Sequence, residues 1–326
     1  MITDSFARVH DYLRISLTDN CNLRCFYCMP EEDYEFTPPA KLMQVDEIEA
    51  IAKIFVSHGV KKIRLTGGEP LVRKGADEII LRLSKLPVNL TLTTNATRLD
   101  EFVDVLEKAN VRSLNISLDT LQPEKFQLIT RRNSFDKVLG NIQILIDKNF
   151  HVKVNVVVMK GLNDNEINDF VEWTKDTDVQ VRFIEFMPFD DNRWTSNKVF
   201  TLKEMLEVIE KKYTIVPLHN DPHDTAKKYT VKDHKGTFAV ISTMSAPFCS
   251  GCNRMRLTAD GKIKNCLFSK KETDLLTAFR SGEDIIPLIY ESIHSKEKEL
   301  GGQFTKDFEK IHAADIHNRS MIAIGG

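Results

Sequence analysis

The first 188 residues keep one rhythm, a short apolar run followed by an amphipathic stretch of helical period, and that rhythm leaves little freedom of fold. Candidate strands are Tyr12–Leu17, Lys62–Thr66, Leu90–Thr94, Ser113–Leu118, Val152–Val158 and Val181–Phe186. Between them the spacing predicts helices over Asp46–His58, Ala76–Leu86, Leu99–Ala109, Ser134–Lys148 and Asp164–Asp176. Asp46 and Asp164 suit N-cap positions, and Gly59 suits the position just past a helix end. Strands that alternate with helices form a parallel sheet with right-handed crossovers. The fold class is therefore α/β, and six units in succession curl into an incomplete (β/α)6 barrel. In α/β barrels, reactive groups gather where strands end. That places function at Thr18–Pro30, Gly67–Pro70, Thr94–Asn95, Ser117–Asp119, Met159–Gly161 and Glu185–Pro188.

After Pro188 the rhythm changes. Phe200–Lys212 reads as a helix, and Tyr213–Val216, Tyr229–Val231 and Phe238–Ser242 read as strands. Helical segments follow at Glu272–Arg280 and Ile285–Ser295. The expected division is a partial barrel over 1–188 and a smaller α+β region over 189–326. A net charge of −2 gives no reason to expect a nucleic-acid or membrane partner. No apolar run approaches a bilayer span, and the first ten residues lack an apolar signal core. A soluble, cytoplasmic protein is the expectation.

All six cysteines fall in two tight triads. Cys21, Cys25 and Cys28 form C-x3-C-x2-C just after the first strand; Cys249, Cys252 and Cys266 form C-x2-C-x13-C. In a reducing compartment such groups read as metal ligands rather than disulfides. Three thiolates can hold three corners of a [4Fe–4S] cube and leave one iron open. Zinc is the alternative. It wants four ligands, or three and a water, and the nearby His10 and Asp19 complete such a set poorly.

The first triad, with Tyr27 before its last cysteine, resembles the signature of the radical S-adenosylmethionine (SAM) superfamily. Gly67-Gly68-Glu69-Pro70 and Ser117-Leu118-Asp119 are similar to that superfamily's SAM-contacting segments. The second triad, in Phe248-Cys-Ser-Gly-Cys-Asn-Arg-Met-Arg256 and Cys266-Leu-Phe268, narrows the resemblance to the GTP 3′,8-cyclases of molybdenum cofactor biosynthesis. So do Tyr12-Leu-Arg-Ile-Ser-Leu-Thr-Asp19, Lys61–Gly68, Val152–Val156, Ile184-Glu-Phe-Met187 and the closing Gly325-Gly326. The similarity runs from about Tyr12 to Gly326.

It implies two [4Fe–4S] clusters, with SAM on the first open iron and the guanine of GTP on the second. Tyr27, Gly68, Ser117 and Met187 would contact SAM. Arg14, Lys62, Arg64, Thr93, Lys153, Arg254 and Arg256 would contact GTP, because arginine's planar fork and lysine's charge suit phosphate. Lys62 and Arg64 share one strand face, and Arg254 and Arg256 do so if their segment is extended. The implied reaction removes the ribose 3′ hydrogen. The C3′ radical then joins C8 of the same guanine, and an electron and a proton complete (8S)-3′,8-cyclo-7,8-dihydro-GTP. Arg14 would assist the last reduction or hold phosphate, and the sequence leaves that choice open. The implied partners are GTP, an external electron donor and a downstream cyclic pyranopterin monophosphate synthase. A homodimer is one option for the assembly. The Gly-Gly tail is expected to reach into the barrel. Two departures from the family pattern stand out. Asn20 replaces an arginine before the first cysteine, and Ala96 replaces a glycine after the third strand. The alternatives are a radical SAM peptide maturase with an auxiliary cluster, which usually carries more C-terminal cysteines, and a non-catalytic zinc-binding module.

Overall fold

The computed structural model describes residues 1–30, 34–190, 192–304, 307–312, 315 and 317–325. Six strands come first: β1 (Tyr12–Ser16), β2 (Lys62–Thr66), β3 (Asn89–Thr94), β4 (Ser113–Ser117), β5 (His151–Val158) and β6 (Val179–Glu185). Each matches an expected strand to within two residues. Between them run α1 (Val45–Ser57), α2 (Ala76–Leu83), α3 (Leu99–Lys108), α4 (Pro123–Thr130), α5 (Phe135–Asp147) and α6 (Ile167–Trp173). α4 was not expected, since it buries only Phe126, Ile129 and Thr130 and shows little periodicity.

Neither aspartate caps as expected. Gln44 precedes α1, and its backbone N–H donates to the Glu47 carboxylate at 2.6 Å, which leaves Asp46 inside the first turn. Asp164 starts a short 3-10 turn and accepts from the Gly161 N–H at 3.0 Å. Gly59 does lie just past α1, at φ +104°, and its N–H donates to Val56 O.

Strand alternation sorts the side chains. Leu13, Ile15, Ile63, Leu65, Leu92, Leu114, Ile116, Val154, Val181 and Phe183 face the helices and form the core. Each such burial contributes on the order of 1.5–3 kcal/mol. The opposite face of the same strands carries Tyr12, Arg14, Lys62, Arg64, Lys153 and Arg182 into the lumen.

The C-terminal region adds α7 (Leu202–Glu210), β7 (Ile215–Pro217), β8 (Lys227–Val231), β9 (Thr237–Ile241), β10 (Arg254–Leu257), β11 (Lys262–Lys264) and β12 (Thr273–Asp274). It continues with α8 (Leu275–Arg280), α9 (Ile286–His294) and the short α10 (Met321–Ile324). All twelve strands join one sheet, in the order β12-β11-β10-β1-β2-β3-β4-β5-β6-β9-β8-β7. β10 pairs in parallel with β1, and β9 in parallel with β6. Strands from beyond Pro188 therefore extend both edges of the barrel sheet. Among the described residues, no helix is long and apolar enough to cross a membrane.

Glu185, fully buried at the end of β6, ties these parts together. Its carboxylate accepts from Leu202 N at 2.8 Å, Met244 N at 2.7 Å, Ser245 N at 2.9 Å and the Ser245 hydroxyl. Removing it strands several donors, each costing roughly 1–3 kcal/mol where no water replaces the acceptor. Glu185→Ala is thus expected to destabilise the fold by about 3 kcal/mol or more, read as a lower denaturant midpoint. A surface change such as Glu207→Ala should leave that midpoint unmoved.

Candidate active site

The first triad sits on the loop that leaves β1. The Gly67-Gly68-Glu69 turn packs directly on this loop. Gly68 N donates to Thr18 O at 2.7 Å, and Glu69 N donates to Asn20 O at 2.8 Å. A Cβ on Gly68 would lie 2.5 Å from Asp19 O and 2.6 Å from Asn20 O, so only glycine fits there. Asn20 takes part through its backbone while its side chain is exposed, so the replaced arginine leaves this clamp intact. Ala96 is buried at φ +64°, in the left-handed region where glycine is freer.

Burial dominates the chemistry around these thiols. It pushes Cys21 up to about 11, with the Glu69 carboxylate adding to the effect. It also pushes up Cys25 and Cys28, which repel one another and Cys21 as anions, with Asp119 adding to both. Glu69 accepts from Leu71 N, Thr94 Oγ1 and Asn95 N, and burial raises its carboxyl to about 7. The Tyr27 hydroxyl donates to Asp119 Oδ2 at 2.6 Å, and burial raises Asp119 to about 6. Half-buried thiols that repel one another ionise together most readily around a cationic centre.

The second triad faces a cavity of about 860 Å³ inside the barrel. Cys249, Cys252 and Cys266 line it together with Arg14, Lys62, Arg64, Lys153, Arg254, Arg256 and Met187. The structure thus gathers six of the seven expected GTP contacts. Thr93 is outside the lining but accepts from Arg64 Nη1 at 3.5 Å. Tyr27, Gly68, Ser117 and the first triad also lie outside it, toward the C-terminal ends of the strands. Arg14 stands in the middle of β1, not at its end.

Several lining residues were missed from the sequence. Arg182 was legible, since it alternates with Gln180 and Ile184 on the lumen face of β6. Its guanidinium donates to Asn155 Oδ1 at 2.9 Å through Nε. Tyr12, quoted in a motif but given no role, accepts from Arg64 Nε at 2.6 Å. Asn115 needed the fold to find: its buried Oδ1 faces the cavity wall with no partner.

The cavity is crowded with positive charge. Its lining holds eight lysine and arginine side chains against two aspartates, one of which, Asp224, pairs with Lys228 at 2.6 Å. Burial and neighbouring cations lower Lys153 to about 8 and Arg182 to about 9. Burial would push the Tyr12 phenol up, yet Arg64, Arg14 and Lys62 outweigh it and bring it down to about 7. The buried Arg14 Nε has no hydrogen-bond partner. A buried donor left unpaired costs about 1–3 kcal/mol, which an anionic oxygen would recover.

Comparison with known proteins agrees with this geometry. Residues 15–174 match the radical SAM superfamily, and residues 179–301 match the Molybdenum Cofactor Synthesis C family. The mitochondrial GTP 3′,8-cyclase of Arabidopsis thaliana is 47% identical over all of this chain and 84% of its own length. The chain belongs to the GTP 3′,8-cyclase family. The GTP 3′,8-cyclase of Listeria welshimeri is 41% identical, with 91% of each chain covered. Human Molybdenum cofactor biosynthesis protein 1 is 42% identical over 99% of this chain, which spans about half, 51%, of that relative's length. Among solved structures, Streptococcus suis SuiB bound to S-adenosylmethionine superposes with a TM-score of 0.62 at 16% identity, covering 97% of this chain and 77% of SuiB. That likeness shows the fold.

The C-terminal tail enters this cyclase-family site. Ile322 and Ile324 are buried, and Gly325, at φ +86°, accepts from Arg256 Nη1 at 2.7 Å through its carbonyl. Gly326 lies outside the described residues. A Cβ on Gly325 would stand 2.8 Å from both Ser16 Cβ and Thr66 Oγ1. Gly325→Ala should therefore eject the tail. Amide hydrogen exchange over Ile322–Gly325 is expected to quicken at least tenfold while the global unfolding midpoint holds; unchanged exchange would show the tail is held elsewhere.

Proposed function

We propose that this chain converts GTP to (8S)-3′,8-cyclo-7,8-dihydro-GTP by radical SAM chemistry, using a [4Fe–4S] cluster at each cysteine triad. The observation that carries this reading is the cavity itself, where a cysteine triad and a ring of buried and half-buried cations, one with an unpaired donor, face the same space. A nucleotide whose base reaches the thiol side and whose phosphates reach the ring would satisfy both. GTP has that form.

The donor set fits such clusters, because three thiolates hold three corners of a cube and leave one iron open to a ligand. Cys21, Cys25 and Cys28 would hold the first cluster, whose reduced form supplies the electron that splits SAM into methionine and a 5′-deoxyadenosyl radical. Gly68, Ser117, Tyr27 and Met187 would position SAM, with Asp119 fixing the Tyr27 ring. Cys249, Cys252 and Cys266 would hold the second cluster beside the base.

Arg14, Lys62, Arg64, Lys153, Arg182 and Arg254 would bind triphosphate, fix the ribose and so bring C3′ close to C8, where correct orientation supplies much of the rate. Arg256 is already engaged by the tail and would couple tail position to phosphate. An external donor would supply the electrons, and a cyclic pyranopterin monophosphate synthase would take the product. The peptide-maturase alternative is weaker: full-length identity of 41–47% lies with the cyclases, against 16–17% with SuiB.

Cysteine variants separate the two triads. Cys25→Ala should abolish reductive SAM cleavage. Cys252→Ala should retain some cleavage but form no cyclic product, and normal product from it would make the second triad structural.

Arg14→Ala should weaken GTP binding by about 1.5–3 kcal/mol while hardly changing guanosine, because it removes a charge-assisted phosphate contact. Equal losses for both ligands would place Arg14 away from phosphate.

Protons should move as well. Without ligand, Lys153 titrates near 8 and Tyr12 near 7. A bound polyanion raises both, so GTP binding near pH 8 should take up protons, and affinity should fall as pH rises through that range. Calorimetry in buffers of different ionisation enthalpy reads this directly; proton release would contradict it.

A further inference from the structure

The second triad has a neighbour that no motif announced. Lys296, two residues past the end of α9, is buried at 3% exposure. Its ammonium donates to Cys252 Sγ at 3.4 Å and to the Arg254 carbonyl at 3.0 Å. The sulfurs of Cys252 and Cys266 are close enough to favour its charged form. Leu300, on the same segment, donates its backbone N–H to Cys249 Sγ at 3.4 Å. One short stretch of chain thus brings a donor to each of two sulfurs of this triad.

That stretch is itself held in place. The N-terminal residues form a small hook, closed by a bridge between Thr3 and Val9. Within it the buried Asp4 carboxylate accepts from Arg8 Nε at 2.6 Å and faces His10 Nε2 at 3.0 Å. The Arg8 guanidinium then reaches across the chain, donating to Cys249 O at 2.9 Å, Lys298 O at 2.7 Å and Glu297 O at 2.9 Å. Arg8 thus ties the turn that carries Cys249 to the two residues that follow Lys296.

The first triad is surrounded differently. The side-chain donor to Cys21 Sγ is the neutral Asn95 Nδ2 at 3.7 Å, Arg24 is its cationic neighbour, and the buried carboxylates of Glu69 and Asp119 stand nearby. Cation and hydrogen bond on a ligand sulfur favour the more negative, reduced state of a cluster; buried carboxylates oppose it.

We propose that Lys296 is a positioning and charge-balancing residue for the second iron–sulfur site, raising that cluster's reduction potential relative to the first, and that Arg8 holds it there. This rests on the two-cluster reading above. Burying a lysine is costly, and ordinary packing would favour an apolar residue at a site this enclosed. An ammonium directed at a ligand sulfur is the arrangement that recovers the cost.

The test is a redox titration followed by electron paramagnetic resonance on the reconstituted full-length protein, with iron counted on each sample. In Lys296→Met the second cluster should become harder to reduce, its reduction equilibrium shifting at least tenfold, which is about 59 mV for one electron. The first cluster should not move. Lys296→Arg keeps the charge and should stay within threefold of the unaltered chain. Arg8→Ala should shift the second cluster in the same direction by a smaller factor. Eight irons with an unshifted second potential in Lys296→Met would overturn the assignment alone. Selective loss of the second cluster in both Lys296→Met and Lys296→Arg would also overturn it, marking Lys296 as packing. Four irons in the unaltered chain would overturn the two-cluster reading and this assignment with it.

Discussion

Four residues of β10 lie in parallel register on β1, with Arg254 beside Tyr12 and Arg256 beside Arg14. This pairing joins two stretches of chain some 240 residues apart in sequence and makes one site of them. β10 begins two residues after Cys252, so fixing the strand fixes the second triad against the barrel lumen. On the other edge of β1, Arg64 pairs with Arg14, which completes a row of three arginines on one inner face. Without the β10 pairing the lumen would hold the barrel's own cations but neither Arg254, Arg256 nor the second cysteine triad.

Such a row is unfavourable by itself. Buried like charges repel, and each loses hydration. The depressed titration of Lys153 and Arg182, the acidified Tyr12 phenol and the unpaired Arg14 Nε are all signs of the same tension. The barrel core, with fourteen or so fully enclosed aliphatic side chains on β1–β6, has the rigidity to hold these groups in place. Local instability of this kind is common where a protein is shaped for a charged ligand. The proposed function gives that ligand a chemical form: GTP would bring a polyphosphate, and a radical would meet one particular carbon of its sugar.

Much of this was legible in the sequence because strand periodicity is strict. The alternation Tyr12, Arg14, Ser16 against Leu13, Ile15 decides which side chains enter the lumen, and β2 and β10 obey the same rule. The six barrel strands were therefore found to within two residues. The N-caps were not, because Gln44 and Glu47 satisfy the start of α1 in place of Asp46. β11 and β12 were missed because strands of two or three residues have no period to read. Arg182 could have been found by applying the alternation to β6. Asn115, Lys296 and Arg8 could not. Their significance comes from contacts between distant segments, as in the reach of Arg8 from the N-terminus to Cys249 and Lys298. The Gly325 position was suggested by the family resemblance of the Gly-Gly tail, but its contact with Arg256 appears only in the folded chain.

If the proposed function holds, the lumen presents the ribose C3′–H of GTP to a radical generated at the first triad. GTP deuterated at the 3′ carbon, incubated anaerobically with the reconstituted chain, SAM and a strong reductant, reads this out. 5′-Deoxyadenosine is expected to acquire the deuterium as the nucleotide loses it and cyclises. Deuterium-free 5′-deoxyadenosine, formed while the label stays in the nucleotide, would contradict it.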